Sequence, residues 1–92
     1  MKITFDPGKR DATLQDRGLA FEAAAEVFAG RVIDIPDLRR DYGELRISTV
    51  GILRGRMVIV VWTERGDARH VISMRKANDR EKARFGQRLD ES

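Results

Sequence analysis

Six polar residues carry the chemistry this sequence most directly offers: Glu44, Arg46, Thr63, Arg69, Ser73 and Arg75. All lie within residues 42–77, YGELRISTVGILRGRMVIVVWTERGDARHVISMRKA, a stretch whose alternation reads as three consecutive antiparallel strands. On one face of a small basic sheet, a carboxylate among guanidiniums and hydroxyls suits gripping and cleaving an RNA backbone. Such cleavage without a metal requires a base for the 2′-hydroxyl proton, cations against the charge growing at phosphorus, and a donor for the leaving 5′-oxygen. Glu44 is the carboxylate on that face and the candidate base. Arg46, Arg69 and Arg75 are fork-shaped phosphate ligands, and Thr63 and Ser73 have positioning roles. The donor has no assignment, because arginine gives up a proton poorly at neutral pH. The competing reading is that Glu44 and Arg46 belong to a solvated ion-pair network, the ordinary state of exposed charges.

Strand register decides which of these residues share a face. Leu53-Arg54-Gly55-Arg56 has the form of a tight hairpin, with glycine supplying the positive φ such turns require. With Arg54-Gly55 as the loop, Arg46 faces Thr63 and Ile47 faces Trp62, so Glu44, Arg46 and Ser48 join Thr63 on the polar side. Leu45, Ile47, Leu53, Val58, Val60 and Trp62 form the other side, expected to pack on helices. The following turn lies within Glu64 to Ala68, around Gly66. A five-residue loop there puts Arg69 opposite Thr63, with Ser73 and Arg75 on the polar face and Ile72 and Met74 toward the core. A four-residue loop reverses the last strand. In the five-residue register His70 projects away from the polar face and reads as a strand-end residue, while Trp62 reads as a core aromatic. Arg54, Arg56, Arg65 and Lys76 extend the basic surface as candidate RNA contacts. Solvation is the ordinary alternative for the three arginines, which sit near turns.

Flanking elements must hold these strands. Lys2 to Phe5 alternates as a short strand, and Asp6-Pro7 resembles an N-cap with proline at the first helical position, opening a helix to about Arg17 that Gly18 ends. Phe21, Ala24, Ala25 and Phe28 recur at helical spacing and are expected in the core, with Gly30 closing that helix. Arg31 to Leu38 is a candidate edge strand whose pairing Pro36 limits. Asn78 with Glu81 three residues on has the form of a capping box, and Phe85 and Leu89 give the last helix one apolar stripe.

Composition bounds the function classes. The 92 residues fit one domain, 1–92, without internal repeat or linker. With no cysteine and one histidine, neither a disulfide framework nor a thiolate metal site is available, so no metal or other cofactor is expected. No apolar run approaches the roughly 20 residues that span a bilayer, and no signal-peptide pattern opens the chain, so a soluble cytoplasmic protein with no membrane partner is expected. Net charge is only +3, yet from Arg54 to Arg88 ten basic residues stand against four acidic ones. That half fits an anionic polymer or an acidic protein partner.

In order and spacing, ITFDPGK, RGLAFEAAAEVF, GELR, GRMVIVVWTERG, RHVISMRKA and a final helix bearing Glu81 resemble the BrnT family over nearly the whole chain. Where relatives commonly carry Asn and then Lys-His-Gly in the first helix, this chain has Thr13 and Asp16-Arg17-Gly18, so a histidine from that helix is absent. The resemblance implies an α+β, RelE-like fold, which here would be a mainly antiparallel sheet with helices packed on one face. It implies a ribonuclease toxin of a type II toxin–antitoxin pair that suppresses translation, with function falling on Glu44, Arg46, Thr63, Arg69, Ser73 and Arg75. It further implies a BrnA-like antitoxin and operator DNA bound only through the antitoxin complex. Assembly is open between a homodimer and a heterotetramer with the antitoxin. The alternative function is a non-catalytic nucleic-acid- or protein-binding module of a regulatory DNA complex.

Overall fold

Asp6 and Gly18 bracket the first helix, as the sequence predicts. In the computed structural model, which describes residues 1–39 and 41–90, strand β1 (Lys2–Phe5) runs into helix α1 (Pro7–Arg17). The Asp6 carboxylate accepts from the N–H groups of Gly8 and Lys9 at 2.8 and 3.2 Å, and Gly18 closes the helix at φ 68°. A side-chain N-cap of this kind stabilises a helix by about 1 kcal/mol. The next segment begins as a 3₁₀ turn (Phe21–Ala23) and continues as helix α2 (Ala24–Ala29). That tighter start sets a phase of three residues per turn. Phe21, Ala24 and Val27 are therefore buried, whereas Ala25, expected in the core, is exposed.

Strands β2 (Val32–Pro36), β3 (Arg46–Leu53), β4 (Arg56–Arg65) and β5 (Ala68–Lys76) follow, and helix α3 (Asp79–Asp90) ends the described chain. The five strands form one sheet in the order β1-β5-β4-β3-β2, antiparallel except for the β1–β5 pair. The fold is thus α+β with a mostly antiparallel sheet. β2 is an edge strand, as expected, with Pro36 at its end opposite Ile47. The capping box at α3 also forms: Asn78 Oδ1 accepts from the Glu81 N–H at 2.8 Å, and Glu81 Oε1 accepts from the Asn78 N–H at 2.9 Å. Among the described residues, no helix is long and apolar enough to cross a membrane.

The helices do not pack on one face, contrary to expectation. Phe21, Ala24 and Val27 cover Val58, Val60, Trp62, Val71 and Met74 on one side of the sheet. Phe85 and Leu89 of α3 cover Val50, Met57, Ile59 and Ala77 on the other. The physical reason lies in β4, which runs apolar there without alternation: Met57, Val58, Ile59 and Val60 are all buried. A strand apolar on both faces requires cover on both. Leu45 is a second departure. It precedes the paired part of β3 and is 60% exposed rather than packed on a helix.

Two contacts fix α2 and β2 against β3. Gly51 lets α2 approach closely, since a Cβ there would lie 2.6 Å from Val27 Cγ1. Trp62 is a core residue, as predicted, and its indole N–H donates to Thr49 Oγ1 at 2.7 Å, while that hydroxyl donates to Asp34 Oδ1 at 2.6 Å. The one polar atom of the buried indole is therefore satisfied.

Candidate functional site

The β3–β4 hairpin has the predicted register. Arg54 and Gly55 form its loop at φ 50° and 83°, Arg46 pairs with Thr63, and Ile47 pairs with Trp62. Glu44 stands in the bend just before β3. Its carboxylate lies 3.4 Å from Arg46 Nε and 3.7 Å from Arg65 Nη2. The Arg46 guanidinium in turn sits 4.0 Å over the Tyr42 ring, an electrostatic attraction to the ring face. Tyr42 donates its hydroxyl hydrogen to Asp37 Oδ2 at 3.1 Å. The Arg39 guanidinium grips the same Asp37 carboxylate and, with the Arg39 N–H and Tyr42, holds it well below the usual carboxylate range. A chain of contacts thus runs from Asp37 through Tyr42 and Arg46 to Glu44.

Thr63 belongs to this cluster through the backbone it holds. It is 2% exposed, and its hydroxyl donates to the Leu45 carbonyl at 2.7 Å. With its hydrogen committed to the backbone between Glu44 and Arg46, Thr63 positions that segment and is not open to a substrate.

The β4–β5 hairpin overturns part of the expected site. Arg65 pairs with Ala68, so the loop is Gly66-Asp67, shorter than either length considered from sequence. Gly66 has φ 61°, the positive value wanted at the first position of a two-residue turn. Consequently Thr63 faces His70, and Arg69 faces Glu64 on the Trp62 side of the sheet. The Arg69 guanidinium stacks 4.2 Å from the Trp62 ring centre and 4.6 Å from that of Phe28, capping the core under α2. Arg69 is thereby separated from Glu44 and Arg46.

A bulge then restores the expected pattern. Trp62 pairs with Val71 but Val61 with Ser73, leaving Ile72 as the extra residue. Met74 returns to the core, as predicted, and Arg75 falls opposite Ile59 on the α3 side. Ser73 borders a shallow depression against α1 with Thr13, Asp16 and Arg17. Arg75 is not an open phosphate fork. Its two terminal nitrogens each donate at 2.8 Å to the Glu81 carboxylate, which this contact lowers to about 2.

The four outlying cations divide similarly. Arg65 joins Glu44, while Arg54 is engaged by Glu26 of α2 at 3.0 Å. Arg56 and Lys76 line an open depression with Lys82, Ile52, Met57 and Gly86, where Arg56 pairs with Leu53 at the far end of the hairpin from Glu44. Among the described residues, no group of three or more His, Asp or Glu side chains is arranged to hold a metal ion.

His70, expected to project away from the polar face as a strand-end residue, is instead brought by the register to the Arg46–Thr63 row. The Gly66-Asp67 pair was the available signal, since Gly-Asp between two strands specifies a two-residue turn. His70 Nδ1 lies 2.9 Å from Thr4 Oγ1 on the neighbouring β1. Partial burial, then the charge of Arg65, hold the imidazole below its ordinary value, against the opposing pull of Glu44. Gathered at this end of the sheet are thus the Glu44 carboxylate, the Arg46 and Arg65 guanidiniums, the Tyr42 phenol and the His70 imidazole, beside the Asp37–Arg39 pair that anchors Tyr42. Residues 5–81 of the chain match the family model described as "Ribonuclease toxin, BrnT, of type II toxin-antitoxin system". No curated protein matches the chain.

Proposed function

The chain belongs to the BrnT family of type II toxin–antitoxin ribonuclease toxins, and from that premise we propose that it cuts RNA at the Glu44–Arg46 end of a RelE-like sheet, without a metal. The supporting observation is Glu44 held between Arg46 and Arg65, at 3.4 and 3.7 Å, on a segment pinned by Thr63. Glu44 takes the proton of the 2′-hydroxyl, which then attacks phosphorus. Arg46 and Arg65 bind the phosphate and stabilise the charge that grows on its oxygens. Tyr42 keeps the Arg46 fork oriented by stacking under it. Arg75, whose fork Glu81 holds, steadies α3 beside the path of the RNA, with Ser73 as a neighbouring polar contact. Arg54, Arg56 and Lys76 extend the basic surface for the rest of the polymer, whose phosphates supply a salt-sensitive share of affinity. Arg69 has a packing role.

A type II toxin has an antitoxin partner. Here that partner is a BrnA-like protein whose acidic segment covers the Arg46–Arg65 end and blocks RNA, through charge-assisted hydrogen bonds to the arginine forks. The toxin works in the cytoplasm by cutting RNA and stopping translation. It reaches operator DNA only through the antitoxin, in an assembly built from a toxin homodimer or a toxin–antitoxin heterotetramer.

Expression with and without the neighbouring gene tests this reading. Growth should stop and RNA should fragment only without the partner, and the two products should co-purify. A tagged protein that comes out alone, with neither toxicity nor RNA damage, would refute the reading for this chain. A complex that forms and binds DNA, beside a free protein that leaves RNA intact, would instead support a non-catalytic binding role.

A further inference from the structure

His70 is the one imidazole of the chain, and nothing in the proposed reaction has so far used it. Arg46, Thr63, His70 and Thr4 are successive partners across β3, β4, β5 and β1, so they form one row across the sheet. Neighbouring strands lie about 4.8 Å apart, which places the Arg46 and His70 backbones about 10 Å from each other. Thr63 lies between them, covered and with its hydroxyl spent on the Leu45 carbonyl, so Arg46 and His70 are the ionisable side chains the row presents, one on each side of it. The charges of Glu44 and Arg65 both act on the His70 ring, which sets it beside the Glu44 cluster. A phosphodiester crossing the row would have Glu44 and Arg46 on one side and His70 on the other. The Thr4 hydroxyl fixes the ring through Nδ1 at 2.9 Å. A hydroxyl both donates and accepts, so this contact serves neutral and cationic imidazole alike and leaves Nε2 for the substrate.

We propose that His70 is the catalytic proton donor to the leaving 5′-oxygen, a role that rests on the ribonuclease reading above. The step balances without a co-reactant. Glu44 removes the 2′-hydroxyl proton, the O2′–P bond forms, the P–O5′ bond breaks, and His70 Nε2 delivers its proton to O5′. The products are a 2′,3′-cyclic phosphate and a 5′-hydroxyl. Thr4 is a positioning residue. The groups around His70 also set its pH dependence. Burial, Arg65 of β4 and Lys9 of α1 favour the neutral ring, while Glu44 and Asp6 favour the cation. The donor is the cationic form, so kcat/KM falls as pH rises through the lowered value of His70, below 6.5.

The test compares wild type with His70→Asn, whose amide keeps a partner for Thr4, on two versions of one short RNA. One carries the natural linkage; the other has sulfur in place of the bridging 5′-oxygen, a leaving group that departs without a proton. His70→Asn should lose about 100-fold or more in kcat/KM on the natural linkage, the usual scale of general-acid catalysis. It should cleave the sulfur linkage at the wild-type rate. Equal rates on the natural linkage, or the same loss on both substrates, would overturn the role of His70 while leaving the ribonuclease reading intact. A wild-type protein that cleaves neither RNA would overturn both. Should His70→Asn fail to fold, the wild-type pH profile decides: a rate that falls as pH rises through the imidazole range supports the assignment, and a rate flat through that range overturns it.

Discussion

Exchanging Glu81 for glutamine removes the charge that ties α3 to the sheet while keeping the side chain's volume. Arg75 donates twice at 2.8 Å to the Glu81 carboxylate, and the Asn78 N–H donates at 2.9 Å to one of the same oxygens. Together, with Arg75 the main cause, these contacts lower Glu81 from 4.5 to about 2. At 1.36 kcal/mol per tenfold change, that difference corresponds to about 3 kcal/mol before screening. The Arg75 side chain is 44% exposed, and solvent screening of so open a pair brings the figure to about 1 kcal/mol. Because the folded-state value is depressed, this stabilisation is complete above about pH 4.5 and fades as pH falls through about 2. In a domain of this size about 1 kcal/mol moves the melting temperature by about 4–8 °C. Thermal melts of Glu81→Gln and wild type should therefore differ by about that amount at pH 7 and converge near pH 2. Identical melts at pH 7, or a gap of the same size at pH 2, would show that the Arg75–Glu81 charge pair does not hold α3 in place.

Three further substitutions probe the packing that carries the site. Arg69→Met keeps the aliphatic stem but loses the stacked cation over Trp62 and Phe28; it should cost about 1 kcal/mol in a chemical melt and leave RNA cleavage within a few-fold of wild type. Gly51→Ala drives a methyl to 2.6 Å from Val27 Cγ1 and should destabilise by about 1–3 kcal/mol, with recovery in the double variant that also carries Val27→Ala. Thr63→Val removes the hydroxyl that donates to the Leu45 carbonyl; it should cost about 1 kcal/mol, and cleavage should fall less than in Glu44→Gln because Thr63 does not reach the substrate.

Local signals were the legible part of the fold. Asp6-Pro7 with Gly18, and Asn78 with Glu81, marked helix boundaries because capping is decided within a few residues. Arg54-Gly55 set the β3–β4 register for the same reason, and with it the Arg46–Thr63 pairing. Errors arose where one residue of register decides a whole face. The Gly66-Asp67 loop and the extra residue at Ile72 each invert the alternation of β5, and the second undoes the first. Ser73 and Arg75 therefore kept their expected parity while Arg69 and His70 exchanged faces. The position of α3 follows from β4 being apolar on both sides, a property that MVIVVW carries and that calls for cover on both faces, but the run does not say which helix supplies the second cover. The pairing of Arg75 with Glu81 joins residues from a strand and a helix, and periodicity within either element does not reveal it.

RNA cleavage by purified protein in the presence of EDTA, with Glu44→Gln and Arg46→Ala beside wild type, bears most directly on the proposed chemistry. Wild type should cut and leave 2′,3′-cyclic phosphate and 5′-hydroxyl ends. Glu44→Gln should melt near the wild-type temperature, since the Glu44–Arg46 contact is a long 3.4 Å pair, and Arg46→Ala somewhat lower, since it also loses the stack on Tyr42; each should lose at least about 100-fold in rate. A folded Glu44→Gln protein with full activity would contradict the assignment of the base. Activity that vanishes with chelator and returns with Mg²⁺ or Mn²⁺ would contradict cleavage without a metal.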